Sequence, residues 1–172
     1  MLNSELIGFL LEKLRSLGKL YLGIGPTYPS SNSLKLQLSI NELLKLYPFL
    51  LDMSDYVEFL KLYGGLSYTQ KKYRVSVDLF GISTTVSTSL IDGEGDAVSD
   101  DGILTFCSMA LIPKGVDVNF KNIKGIGFGF EVTGKRKFGI YRKVDSEAYE
   151  YYCETFTNWL KLFVEKEGYM ID

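Results

Sequence analysis

Histidine is absent from all 172 residues, which removes the side chain that titrates near neutrality and the commonest transition-metal ligand. Ser-His-Asp and Cys-His devices go with it. Cysteine is scarce: Cys107 and Cys153 stand far apart, in no CxxC pair and no zinc-type spacing, and both are expected to be buried thiols. Positive charge is not in excess, with 19 basic residues against 21 acidic ones and a net charge of −2. Without a positive field a phosphate backbone has little to hold, so no nucleic acid partner is expected. No apolar run approaches the ~20 residues that cross a bilayer. Glu5 stands where a secretory leader carries a base, and Glu12, Lys13 and Arg15 interrupt the first apolar stretch. The expectation is a cytoplasmic protein with no membrane association, no cofactor and no metal.

What is present is apolar mass. Hydrophobic residues make up 46% of the chain and aromatics 14%, enough to offset chain entropy in one folded domain. The pattern predicts an α+β fold over residues 1–172: helical over 1–66, mostly β over 67–143 in an antiparallel or mixed sheet, and a C-terminal helix over 145–167. Leu6, Ile7, Leu10, Leu14 and Leu17 recur at helical spacing before Gly18. A turn-rich stretch over 23–33 follows, then a short strand over 34–38. Ser39-Ile40-Asn41-Glu42 fits a capping box for a short helix ending near Pro48. Asp52 or Ser54 then caps a helix striped by Tyr56, Phe59, Leu60 and Tyr63 and closed by Gly64-Gly65.

Tyr73, Val75, Val77 and Leu79 alternate with polar residues as a strand does, and 82–90 reads as an edge strand. Ile103 to Ile112 is apolar enough for a central strand, and Ile126 to Val132 forms a hairpin through Thr133-Gly134-Lys135 with Phe138, Ile140 and Arg142. Asp145-Ser146 are expected to cap the last helix, whose stripe is Tyr149, Tyr152, Phe156, Trp159, Leu160 and Phe163.

Few residues invite a chemical role. Gly125, Gly127 and Gly129 lack the third glycine and following helix of a dinucleotide site, and are expected to lie under an aromatic ring, with the last helix its nearest source. Asp92, Glu94, Asp96, Asp100 and Asp101 begin like a calcium loop, but Ala97 and Ile103 break the pattern. They read as a solvated hairpin loop or an acidic docking patch. Lys135-Arg136-Lys137, with Lys121 and Lys124, forms a basic cluster at the hairpin tip. Tyr151 points away from the predicted stripe, which makes it an interface candidate.

The order of segments resembles the SUKH superfamily, the Smi/Knr and Syd-like group. The resemblance rests on a helix with Phe59 running into Gly64-Gly65, on Phe80-Gly81 after a strand, on Phe128-Gly129-Phe130 and Phe138-Gly139-Ile140 in a hairpin, and on Trp159-Leu160 in the last helix. It implies a sheet flanked by helices, no shared catalytic residues, and binding to other proteins. Many bacterial members look like immunity proteins that cover a toxin domain. Three expectations follow: an immunity-type binder, monomeric or weakly dimeric; a scaffold self-associating through Tyr21, Tyr28 or Tyr151; and, as chemistry that survives the loss of histidine, a carboxylate-dependent enzyme.

Overall fold

A computed structural model describes residues 3–22, 33–70, 75–79 and 101–171, with 33–39 and 75–79 described as backbone. It is an α+β fold. Helix α1 (Asn3–Leu17) leads into strand β1 (Lys19–Leu22), and α2 (Ser33–Leu46) and α3 (Ser54–Tyr63) are joined by a 3-10 turn at Pro48–Asp52. Strands β2 (Leu66–Gln70), β3 (Val75–Leu79), β4 (Ile103–Leu111), β5 (Lys124–Glu131), β6 (Ile140–Val144) and β7 (Glu150–Cys153) precede helix α4 (Phe156–Glu165). Among the described residues seven strands form one sheet in the order β1 to β7, and every neighbouring pair is antiparallel.

One face of this meander is apolar. Cys107, Met109, Ile126 and Phe128 face the helices in register, and Phe106 and Phe130 stack at 4.3 Å. Trp159 of α4 meets Phe106 and Phe128 edge-on at 5.3 and 5.5 Å and stacks with Phe156 and Phe163 along its own helix. Tyr56 of α3 contacts Phe106, Phe130 and Phe156. Each such ring, fully buried, contributes about 1.5–3 kcal/mol through area alone. The opposite face carries small and polar residues, with Thr69, Ser108, Ala110 and Gly125 exposed, and towards β6 and β7 the aromatic Tyr141, level with Gly129.

A buried carboxylate ties the helices together. Asp55, in the first turn of α3 and 5% exposed, accepts from the Thr157 amide and the Thr157 hydroxyl, both at 2.7 Å, and from the Tyr56 amide at 2.9 Å. Thr157 lies at the start of α4, where main-chain N–H groups lack helical partners and the dipole favours an anion. Thr155 caps the same end by accepting from the Asn158 amide at 3.1 Å.

Several local expectations are corrected. Residues 34–38 are helical, because α2 starts at Ser33; the capping box at Ser39 falls inside that helix. The region over 1–66 is not purely helical, since β1 pairs with β2, starting Lys19 against Thr69. Asp145 and Ser146 cap no helix: Asp145 sits in a turn after β6 with φ 49°, and residues 150–153 form a strand. Tyr149 and Tyr152 mimic helical spacing, but pairing with β6 prevails. The predicted 103–112 strand and the 126–142 hairpin are present, as is the Gly64 terminator with φ 73°. The strand expected over 82–90 lies outside the described residues.

Replacing Asp55 by Ala strands the Thr157 amide and hydroxyl in the core, while the Tyr56 amide keeps the Met53 carbonyl; it should cost about 2–4 kcal/mol in urea unfolding, and an unchanged midpoint would show that the tie contributes nothing. Gly129→Ala should be strongly destabilising, by about 2 kcal/mol or more, because its Cβ would stand 2.4 Å from the Ile103 Cγ2 and 2.7 Å from the Leu104 carbonyl oxygen. Gly125→Ala, whose Cβ meets nothing nearer than 3.9 Å, should leave the same midpoint almost unmoved.

Candidate functional site

The β5–β6 connection gathers the polar and aromatic groups that the sequence singled out. Its frame is Glu131, 1% exposed at the end of β5. One Glu131 oxygen accepts from the Thr133 amide at 3.0 Å and from the Thr133 hydroxyl, and the other accepts from the Gly134 amide at 2.9 Å. The turn wraps its own buried carboxylate, with Gly134 at φ 73°. That conformation presents Lys135, Arg136 and Lys137 to solvent.

The Arg136 guanidinium donates to the carbonyl of Asp101 and lies 4.9 Å from the ring centroid of Tyr141. Tyr141 donates its hydroxyl proton to the Lys137 carbonyl at 2.7 Å and meets Tyr151 edge-on at 5.7 Å. The Lys137 ammonium sits 4.2 Å from the Tyr151 centroid. Hydrogen bonding to Tyr151, then the Tyr151 charge, holds Lys137 above the ordinary lysine pKa. Tyr151 lies against Gly139, whose φ is 155° and where a Cβ would come within 2.8 Å of the ring. The ring is thereby seated on backbone yet stays 40% exposed.

Two of the predicted partner-binding residues, Asp101 by its backbone carbonyl and Tyr151 by its ring, are thus joined through Arg136, Tyr141 and Lys137. Asp92, Glu94, Asp96 and Asp100 lie outside the described residues, as do Phe80 and Gly81 of the family-like motif. Phe59 and Trp159 are core, Gly64 and Gly65 end α3, and Phe138 packs against the core. The glycines of β5 do not lie under an aromatic ring: a Cβ at Gly127 would meet only the Tyr149 hydroxyl, at 3.5 Å, itself bonded to the Thr105 hydroxyl at 3.0 Å, Gly129 lies against Ile103 and Leu104, and Gly125 is open. Tyr141 and Glu131 were missed. The usable signal was the spacing of Glu131 and Thr133 around Gly134, a turn built on its own acid.

Elsewhere, a shallow cavity of about 360 Å³ is lined by Leu44, Leu51, Ser54, Val57, Glu58 and Lys61. Among the described residues no cluster of His, Cys, Asp and Glu could hold a metal ion. Both cysteines are free thiols; Cys107 is buried and Cys153 only partly so. No protein-family model, curated protein or solved structure matches this chain.

Burial, and then the charge of Asp55, push the Cys153 thiol from 9.0 up to about 12. The folded state therefore holds this proton more tightly than the unfolded chain does. The resulting stability is fully present below about pH 9 and is lost as pH rises towards 12. Wild-type urea midpoints should fall more steeply over that window than those of Cys153→Ala; parallel curves would show that the thiol is not desolvated.

Proposed function

We propose that the chain is a non-catalytic protein-interaction domain of the immunity type, which acts in the cytoplasm by covering a cognate toxin domain. The observation that carries the interaction reading is the corner formed by Asp101, Arg136, Lys137, Tyr141 and Tyr151. A turn hydrogen-bonded to Glu131 holds two cations over two tyrosines, and Tyr151 offers contact area at low entropic cost. The mixed charge of the corner suits orientation of a charged partner. The two most buried described carboxylates support the same reading, because Asp55 and Glu131 spend their oxygens on neighbouring donors. The choice of a toxin as partner rests on the order of segments that resembles the SUKH superfamily.

The test is capture of products of neighbouring genes with the full chain, followed by calorimetric titration of the Lys137→Ala/Tyr151→Ala double variant. Recovery of one toxin-like domain, bound at least about tenfold more weakly by the variant, is the expected result. Equal affinity would remove this corner from the interface. Recovery of the chain alone, with an oligomer seen in light scattering, would replace immunity by the scaffold reading.

A further inference from the structure

At the other end of β5, the connection from β4 projects apolar side chains into solvent. Phe120 is 91% exposed, Val118 59%, Val116 42% and Ile123 40%. The backbone is built to hold them there. Asn119 caps a 3-10 turn at Phe120–Asn122 by accepting from the Lys121 amide at 3.2 Å, and the Asn122 side chain donates to the Asp117 carbonyl at 2.9 Å. The Lys114 amide donates to the Tyr169 hydroxyl at 2.9 Å, with the Lys114 ammonium 4.6 Å from that ring's centroid. On the β5 side, Asp145 takes the Lys124 ammonium and the Gly125 amide, each at 2.9 Å. An apolar tip results, in a segment that also carries Lys114, Lys121 and Lys124; Asp117 is the acid on the loop, and Asp145 pairs with Lys124.

We propose that this loop is a peripheral attachment site for an anionic lipid surface, with Val118 and Phe120 entering the headgroup layer and Lys114 and Lys121 meeting lipid phosphates. Apolar depth beside basic charge is the pairing that such an interface rewards. A second copy of the chain fits poorly. A stable dimer needs on the order of 800 Å² from each partner, more than a four-residue tip supplies, and a two-fold pairing would bring the lysines together. A lipid layer receives exposed apolar side chains without a matching pocket, which a protein partner would have to supply. No helix among the described residues is long and apolar enough to cross a membrane, and surface attachment requires none. The eight residues of β5 put roughly 25 Å between this tip and the Tyr151 corner. A partner bound there would remain accessible on an attached molecule.

Co-sedimentation of the full chain with phosphatidylcholine vesicles, with and without phosphatidylglycerol, tests the proposal. Sedimentation with the anionic vesicles is expected, reduced at least about tenfold by Val118→Ser/Phe120→Ser and several-fold by Lys114→Gln/Lys121→Gln. Partner binding at the Tyr151 corner should be unchanged by either double variant, which separates this proposal from the functional reading above. No sedimentation with either vesicle, or sedimentation equal for wild type and variants, overturns it. So does a loss of partner affinity or a change of mass in light scattering caused by the tip variant without any vesicle effect, since these place a protein on the tip.

Discussion

The carboxylate of Asp55 holds together the parts that the core requires. A buried charge is expensive unless its partners are complete. Here two of the three donors come from the first turn of a helix 102 residues away, so α3 and α4 must dock before the carboxylate is satisfied. Once they do, Tyr56 and Phe156 are brought edge to face at 5.2 Å and the aromatic core closes over Phe106 and Phe130. The same negative charge reaches Cys153 and helps keep its thiol protonated. A single side chain therefore sets helix docking and contributes to the state of a thiol on the neighbouring strand.

The sheet separates the two exposed features. Because each strand pairs with the next, the connections lie at alternate ends, and β5 runs between the Glu131 turn and the Phe120 loop. Both are shaped by hydrogen bonds to side chains, local ones to Asn119 and Glu131 and one across strands to Asp145. The sheet core is shaped by apolar packing. Substitutions in either connection can therefore alter the surface while leaving the frame intact.

Much of the frame was legible where period and length agreed. The nine residues of β4 and the β5–β6 hairpin carry enough apolar or alternating positions to exclude a helix, and Gly64 marks the end of α3. Short elements were not legible. Leu34, Leu36 and Leu38 alternate like a strand, yet leucine, lysine and glutamine are good helix formers and no β-branched residue stands among them until Ile40. The four residues of β1 and of β7 are too few for a period to emerge, and Tyr149, Tyr152 and Phe156 happen to fall at helical intervals. Of the candidate site, Tyr151 and the basic tip could be named from local pattern. Their meeting with Tyr141 and Asp101 depends on register and on a contact from residue 136 to residue 101, which no local window contains.

Trp159 is the only tryptophan in the chain, and it is fully buried where α4 meets the sheet. Its indole is flanked by Phe156 and Phe163 along the helix and by Phe106 and Phe128 from the strands. The molecule thus carries a single indole at its central seam, separable by its longer wavelength from the 12 tyrosines. Emission colour and near-ultraviolet dichroism from that one ring distinguish a docked α4 from a detached one, even while every helix keeps its far-ultraviolet signal.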